Sequence, residues 1–271
     1  MLVKTLSARC AGAFGSALAR YLAQPRHTHG TSAPADLGAL ATSLRPADVI
    51  LVEGETRFST AVKYLTQSTW SHAALFVGDR LGLHNEHGEA LVVMEADVVE
   101  GVRAVPLSSY AGLHLRVCRP VSLRDDEART VIDHVAARLG HRYDLKNVFD
   151  LVRYLLPTPP VPLQWRRRLL ALGSGDPTRA ICSTLVAQAF QSVHYPILPL
   201  IEQRSTHDPL CPACVEEILH VRHHSLFVPR DFDVSPYFAV IKPTLAAGFD
   251  HHALRWAPTA EPQPRLEGVP A

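Results

Sequence analysis

The sequence predicts an α+β fold in which a sheet of short antiparallel strands packs against a few helices. Two observations carry this prediction. Short β-branched segments follow one another through brief polar turns, which favours antiparallel pairing because parallel strands need long crossover connections. Other segments repeat their apolar residues at helical spacing and end at glycine or proline. With 271 residues and 47% apolar content, the chain is long enough for one substantial core.

The predicted strands lie mainly in the first half of the chain. They are recognised by their β-branched and apolar residues, and a polar turn at 85–89 joins two of them. The predicted strands are 48–52, 72–77, 90–95, 101–105 and 113–118, with later candidates at 227–232 and 237–241. A helix is predicted between the first two strands, from Phe58 to Gln67, because its apolar residues recur at helical spacing.

Three further helices are predicted after the strands. Residues 125–139 begin with acidic side chains and are followed by Gly140, which are the expected helix ends. Residues 144–156 resemble a second helix that Pro157 terminates, and residues 182–193 again have helical spacing. Between these two helices, the proline- and arginine-rich stretch 157–180 is a long excursion of the kind that often covers an active site.

The expected domain organisation is a single folded domain with extensions. Residues 1–43 are predicted to form a basic amphipathic helix and a linker, residues 44–248 the domain with an insert at about 200–224, and residues 249–271 a flexible tail. The N-terminal helix suits peripheral contact with an anionic membrane surface, but a helix packed against the domain has the same pattern. Both interpretations stay open.

Charge and cysteine content limit the choice of partners and compartment. Lysine plus arginine (27) nearly equals aspartate plus glutamate (26), so the strong positive field of nucleic-acid-binding proteins is missing. Five cysteines at irregular spacing and the lack of a recognisable signal peptide favour a reducing, cytoplasmic setting. We expect no cofactor.

Cys182 is the candidate nucleophile because it lies at the start of a predicted helix. A thiol attacks a carbonyl carbon as the thiolate, and unpaired N–H groups at a helix N-terminus lower the pKa of such a thiol. The backbone N–H of Cys182 is also placed to stabilise an oxyanion. Free cysteines are nevertheless among the most buried residue types, so a core role is the alternative.

His72 and Glu95 are the candidates for base and orienting carboxylate. His72 begins an apolar strand, from whose edge its ring can reach a facing helix. Glu95 closes the next predicted strand, and antiparallel pairing through the short turn would bring its carboxylate beside the imidazole. Without that pairing, Glu95 is a solvated charge at a strand end.

The order of the motifs resembles the YiiX-like, circularly permuted NlpC-type papain-like amidases over about residues 45–243. The motifs are DVILVEG, WSHAALFVGD, VVMEADVVEGV, HRYDLKN, ICSTLVAQAF and VPRDFDVSPYFAVIK. The resemblance implies a permuted papain-like fold, in which an antiparallel sheet or half-barrel packs against the nucleophile helix and the histidine strand precedes the cysteine. It also implies a triad of Cys182, His72 and Glu95.

Three further residues are expected near the substrate. Tyr143 matches a position of the family close to the cleft, where a phenol binds substrate or donates to the oxyanion, although a packed tyrosine fits equally well. Ser71 and Trp70 flank the base, and Trp70 is either a wall of the substrate site or part of the core.

The insert contains a possible zinc site. Cys211 and Cys214 form a C-x-x-C pair, and His207 together with His220 or His223 lies at plausible ligand spacing. The spacing differs from that of common zinc fingers, so a redox-active or incidental pair is favoured and no resident metal is predicted.

The sequence therefore predicts a cysteine hydrolase that cleaves a small amide or peptide-like substrate through a thioester acyl-enzyme. A lipid acyltransferase or thioesterase is the nearest alternative, because lecithin:retinol acyltransferase-like enzymes resemble the same permuted core. A catalytically silent binding module is the alternative outside enzymes, with its cleft closed by the excursion or the insert.

Overall fold

The structure, a computed structural model, describes Gln24, residues 35–97, 99–141 and 181–205, Cys211, residues 214–243 and 250–253, and Arg255. Within these residues, helices and antiparallel strands are mixed along the chain. The predicted α+β class is confirmed at this level. The predicted N-terminal helix, the helix at 144–156, the excursion at 157–180 and the tail beyond residue 255 lie outside the described residues.

One antiparallel sheet of six strands forms the centre of the described part of the chain. The strands of the molecule are β1 Val49–Glu53, β2 His72–Phe76, β3 Val93–Asp97, β4 Gly101–Val105, β5 His114–Pro120, β6 Leu200–Ser205, β7 Val215–His220 and β8 Phe238–Ile241. The sheet has the order β4-β3-β2-β1-β5-β8, and all of its neighbouring pairs are antiparallel. Strands β6 and β7 form a separate hairpin, which the sequence pattern did not predict.

Helices on one face of the sheet enclose the larger core. The α-helices of the described residues are α1 Leu37–Ser43, α2 Arg57–Thr66, α3 Asp125–Ala136, α4 Ile181–Gln191 and α5 Pro229–Val234. Helix α4 contacts β2 and β3, α3 packs against α4, and α5 contacts β1 and β8. Burying each large apolar side chain of this core stabilises the fold by about 1.5–3 kcal/mol. Its fully buried members include Leu51, Leu75, Met94, Ile132, Leu185, Phe190 and Phe232.

The opposite face of the sheet is covered by α1. The Asp36 carboxylate accepts hydrogen bonds from the N–H groups of Gly38 (2.9 Å) and Ala39 (3.3 Å), which caps the helix. Leu40 is 1% exposed and belongs to a second apolar cluster with residues of β1 and β2. The prediction that residues 24–43 form only a linker is therefore wrong for 37–43. The signs of this helix are the aspartate cap and one buried leucine. The sequence pattern missed it because seven residues are too few to show a repeat of apolar residues at helical spacing.

The prediction of a strand at 227–232 is also wrong. Pro229 occupies the first turn of α5, where its missing N–H costs nothing, and the Asp231 carboxylate accepts the N–H of Val228 at 3.0 Å. Phe227 and Phe232 are both buried, but they reach the core from a turn and from a helix rather than from one strand. Proline followed by acidic residues was a helix-start signal within an apolar segment.

Glu95 owes its position to the hairpin of β3 and β4. The Asp97 carboxylate accepts hydrogen bonds from the N–H groups of Val99 (2.7 Å) and Glu100 (2.8 Å), and Gly101 has a positive φ of 83°. This turn fixes the register of the two strands, so that Glu95 lies directly opposite Arg103. In the ranges that the structure describes, no helix combines the length and apolar character needed to cross a bilayer.

Replacing Leu40 by alanine tests the packing of α1 on the sheet. Because the substitution leaves a cavity against β1 and β2, we expect the free energy of unfolding to fall by about 2–4 kcal/mol, measured by urea denaturation. Thr42→Ala, on the exposed side of the same helix, should change it by less than about 0.5 kcal/mol. Equal losses in the two variants would contradict a docked α1.

Candidate active site

The backbone that precedes His72 is anchored to the end of β1. The N–H of Ser71 donates to the carbonyl of Val52 at 3.1 Å, and the Ser71 hydroxyl accepts the N–H of Gly54 at 2.9 Å. Gly54 permits this close approach, since a Cβ added there would lie 2.3 Å from Ser59 Oγ. Ser71 is 1% exposed, so its hydroxyl supports the strand start rather than facing a substrate.

Trp70 packs into the fold beside the base. It is 3% exposed, its ring stacks on His114 at a centroid distance of 5.2 Å, and its Nε1 donates to Asp233 Oδ2 at 2.9 Å. The same carboxylate accepts a hydrogen bond from Arg116 at 2.6 Å. These contacts assign Trp70 to the core interpretation, and they do not support the alternative of a substrate-side wall.

His72 and Glu95 lie on neighbouring strands and face the same side of the sheet. Continuing the register of β2 with β3 places Glu95 opposite Ala74, two residues after His72, so the two side chains are diagonal neighbours. His72 Nε2 lies 2.8 Å from Glu95 Oε2. Because Nε2 contacts the carboxylate, Nδ1 is the ring nitrogen left for Cys182.

The Glu95 carboxylate has a partner on every side. It is 5% exposed as a residue, its Oε1 accepts a hydrogen bond from Arg103 Nε (2.9 Å), and Arg103 Nη2 lies 2.7 Å from the same oxygen as an ion pair. Its Oε2 accepts a hydrogen bond from the Tyr110 hydroxyl at 2.5 Å as well as from His72. A buried carboxylate with these donors is held both ionised and in one orientation.

Pairing between β2 and β3 stops before the start of β2. It includes Leu75 with Met94 but does not continue to Ala73. The N–H of Val77 bonds to the carbonyl of Val92, next to β3, at 2.8 Å. N–H directions alternate along a strand, so the N–H of Ala73 also points toward β3, where it has no strand partner. The sheet therefore opens beside the first residues of β2.

Cys182 meets the sheet at this opening. Its thiol accepts hydrogen bonds from the N–H groups of Ala73 and Ser183 and contacts the His72 side chain. The Ser183 hydroxyl donates to the carbonyl of Phe227 at 2.8 Å, which ties the start of α4 to the segment before α5. The structure thus brings Cys182, His72 and Glu95 together in the order that the sequence predicts.

The charges of the three groups support one another. Burial opposes the charged form of His72, but Cys182 and Glu95 outweigh it and raise the pKa of His72 well above its usual value. Burial likewise opposes the Cys182 thiolate, yet His72 and the two N–H donors lower the pKa of that thiol. For Glu95, His72, Tyr110 and Arg103 overcome burial and hold the pKa at about 2. The favoured state is a thiolate–imidazolium pair beside a carboxylate.

Cys118 shows what a buried cysteine without such partners is like. It lies on β5 with no exposed surface, and burial raises the pKa of its thiol to about 12. The two free cysteines of the described residues, Cys118 and Cys182, are therefore shifted in opposite directions. Since burial is common to both, the contacts of Cys182 account for the opposite direction of its pKa shift.

The structure does not bring the candidate zinc ligands to one point. Cys211 and Cys214 are joined as a disulfide, so their sulfurs are not available to a metal in this form. His220 Nε2 lies 2.7 Å from Glu202 Oε2 on the neighbouring strand of the hairpin, and His207 lies outside the described residues. His223, the alternative ligand, contacts Ser225 Oγ at 2.8 Å.

Tyr143, the remaining sequence-predicted site residue, also lies outside the described residues. In the part that the structure describes, the group of side chains close enough to share a metal ion is Asp250, His251 and His252, all of them exposed. Exposed groups of this kind are common at chain surfaces, and nothing connects them to the triad.

Arg103 and Tyr110 are site residues that the sequence reasoning missed. Arg103 carried a signal, because the hairpin register pairs it directly with Glu95 and opposite charges in such pairs stabilise each other. Tyr110 carried no signal in the sequence. It lies in a 3₁₀ turn, Leu107–Tyr110, and tertiary packing alone brings this turn to Glu95.

Comparisons with known proteins give a distant likeness. No protein-family model matches the chain, and no curated protein matches it. Among solved structures, it is similar to the metalloprotein YiiX, DUF1105, from Escherichia coli O157:H7. The two share 15% sequence identity with a TM-score of 0.41, over 73% of this chain and 96% of that one. A likeness this distant carries no information about activity.

The pH dependence of alkylation tests the thiolate–imidazolium pair. The thiolate exists above the lowered pKa of Cys182, and the imidazolium persists below the raised pKa of His72. We therefore expect the rate of Cys182 alkylation by iodoacetamide to change by less than about threefold between pH 8 and pH 6, measured by mass spectrometry. An ordinary thiol of pKa about 8.5 loses roughly 80-fold over that range.

His72→Ala should restore the steep pH dependence of an ordinary thiol, since it removes the cation beside the sulfur. Cys118 serves as the control within the same molecule and should stay unmodified while the fold is intact. A shallow pH profile that survives in His72→Ala would contradict the assignment of the base.

Proposed function

We propose that the protein is a cysteine hydrolase of the permuted papain-like, NlpC-type fold that cleaves an amide bond. Cys182 is the nucleophile, His72 the base and acid, and Glu95 the residue that orients His72. One observation carries the proposal: the buried Cys182 thiol accepts two backbone N–H groups and contacts a histidine whose other ring nitrogen is held by a buried carboxylate. This is the nucleophile, base and orienting group of covalent catalysis.

The first half of the reaction forms a thioester. The Cys182 thiolate attacks the carbonyl carbon, and the electron pair of the C=O bond moves to the oxygen as an oxyanion. As the carbonyl re-forms, the C–N bond breaks and the His72 imidazolium gives its proton to the departing amine. Glu95 stays ionised throughout, because it stabilises the imidazolium without accepting its proton.

The second half of the reaction releases the acid. His72, now neutral, takes a proton from water while the water oxygen attacks the thioester carbonyl. The C–S bond then breaks, the carboxylic acid product leaves, and the thiolate–imidazolium pair is restored. The same two residues thus serve both halves, with His72 alternating between acid and base.

The N–H groups at the start of α4 are the candidates for stabilising the oxyanion. Donors in the first turn of a helix point out of the helix, so they can stabilise negative charge that develops beside its start. The N–H of Ser183 already points at the sulfur, and the backbone of Cys182 lies beside it. The Ser183 hydroxyl bond to Phe227 keeps this turn fixed, so that the donors need little reorganisation.

An amide substrate fits the charges of the site better than an activated ester. Amines are poor leaving groups and need a proton as the C–N bond breaks, which the imidazolium held beside the thiolate supplies. The YiiX-like amidase pattern of the sequence favours the same class. Peptide-like amides are therefore the first substrates to test.

A lipid acyltransferase or thioesterase is the second candidate, and one observation favours it. The β6–β7 hairpin exposes several large apolar side chains, a surface that suits contact with lipid. These residues are Leu200 (63% exposed), Ile201 (55%), Val215 (56%) and Leu219 (45%). The catalytic residues would be unchanged, and only the acyl donor and the acceptor would differ.

A substrate panel decides between these functions. The purified protein is incubated with short peptides and their amides, with phospholipid vesicles, and with acyl thioesters, and the products are identified by mass spectrometry. We expect turnover of a peptide-like amide that falls at least about a thousandfold in Cys182→Ala, because the nucleophile is lost.

Cys118→Ala is the matched control, since it removes the other buried free thiol of the described residues and should leave turnover unchanged. Turnover of phospholipid alone, dependent on Cys182, would replace the amidase by the lipid enzyme. Failure of Cys182 to react faster than an ordinary thiol would make the protein a binding module.

A further inference from the structure

Glu95 is bound by more hydrogen-bond donors than a catalytic triad requires. The imidazole of His72 uses one lone pair of the carboxylate, and the side chains of Arg103 and Tyr110 also bind it. Arg103 comes from the strand opposite, and Tyr110 comes from the turn after β4. Two separate segments therefore converge on one buried carboxylate.

We propose that Arg103 and Tyr110 are positioning residues, which hold Glu95 in the single orientation that directs His72 toward Cys182. The inference rests on the proposed function and adds to it. Arg103 contacts Oε1 through Nε and Nη2, so rotation of the carboxylate would break this ion pair. Tyr110 holds Oε2, so the lone pair that remains on this oxygen faces His72.

Arg103 is itself restrained by acidic side chains. Its Nη1 lies 2.7 Å from Glu100 Oε2, and its Nη2 lies 3.8 Å from Asp97 Oδ2. Asp97 ends β3 and Glu100 lies in the turn that follows, so the connection that sets the hairpin register also orients the guanidinium. The Arg103 side chain is 35% exposed, which leaves it in contact with solvent at one end and with the buried carboxylate at the other.

Tyr110 keeps its proton to higher pH than an ordinary phenol does. It is 4% exposed, and burial together with the negative charge of Glu95 raises its pKa well above the usual value for a phenol. The phenol therefore remains a donor to the carboxylate. The charged or titratable groups around Glu95 are His72 on β2, Arg103 on β4, Tyr110 on the turn, Cys182 on α4 beyond His72, and Asp97 on its own strand.

The two residues have separable effects. Without the positive charge of Arg103, the carboxyl group is easier to protonate, and an opposite charge nearby is worth roughly 1–3 pKa units to a carboxylate. Protonation of Glu95 removes the anion that supports the imidazolium, so the acid limb of Cys182 reactivity should move to higher pH. Without the hydroxyl of Tyr110, the charge remains but one restraint on the carboxylate orientation is lost.

The test measures Cys182 alkylation by iodoacetamide from pH 3 to pH 9, which needs no knowledge of the substrate. Arg103→Met should raise the midpoint of the acid limb by about one pH unit or more. Arg103→Lys keeps the positive charge, so its midpoint should stay close to that of the wild type. Its alkylation should nevertheless be slower, because lysine cannot contact the carboxylate through two nitrogens. Tyr110→Phe should lower the rate at pH 6 about tenfold, and the imidazole N–H proton bound to Glu95 should broaden in its NMR spectrum.

Matched controls separate positioning from general damage. Arg80 binds Asp133 through Nε and Nη2 at 3.0 and 3.1 Å, an arginine–carboxylate pair that uses the same two nitrogens but lies away from the triad. The Tyr195 hydroxyl is bonded to the carbonyls of Val121 and Tyr237, also away from the triad. Arg80→Met and Tyr195→Phe should keep the alkylation rate within about twofold and the acid midpoint unchanged.

The outcomes distinguish the two proposals. Suppose that Cys182 is activated in the wild type, and that Arg103→Met and Tyr110→Phe leave its alkylation rate and the midpoint of its acid limb unchanged. The positioning role is then wrong, while the proposed hydrolase function is unaffected. If Cys182 of the wild type reacts like an ordinary thiol, the proposed hydrolase function is wrong. Should Arg103→Met fail to fold, Arg103→Lys and Tyr110→Phe decide the matter, since the second removes one oxygen only.

Discussion

The candidate site depends on the place where β2 and β3 stop pairing. As long as two strands pair, each inward N–H is used by its neighbour and the space between them is closed. Here the ladder ends after Leu75 and Met94, so the N–H of Ala73 is free to bind the Cys182 thiol. Helix α4 approaches from one side of the sheet, and Glu95 lies toward the other. The opening lets groups from the two sides meet.

Charge neutrality explains why such a polar group of residues is stable inside the fold. Arg103, Glu95, His72 and Cys182 alternate in sign in the favoured state, so every buried charge has an opposite charge beside it. An isolated buried charge would cost several kcal/mol, and the pairs offset that cost only while their hydrogen bonds are complete. The same alternation lowers the pKa of the Cys182 thiol, so one set of contacts both stabilises the buried charges and favours the thiolate.

The sequence predicted those parts of the molecule that depend on local pattern. The strands at 72–77 and 101–105, the α4 segment and the approach of Glu95 to His72 follow from alternation, helical spacing and a short turn. Parts that depend on tertiary contact were missed. Tyr110 has no local signal, α1 is defined by a single buried leucine, and the apolar segment at 227–232 becomes a turn and a helix because Pro229 begins the latter. Arg103, the cation that pairs with Glu95, was predictable from the register of the hairpin alone.

The order of the elements along the chain affects when the thiol becomes reactive during synthesis. His72 and Glu95 are 23 positions apart, on strands that can pair as soon as both have left the ribosome. Cys182 follows β5 and α3 and depends on the later segment around Phe227 to fix the start of its helix. A domain generally folds as a unit during synthesis. A nascent chain therefore holds the base before it holds the nucleophile, and the thiol stays in its ordinary, weakly reactive state until the last elements dock.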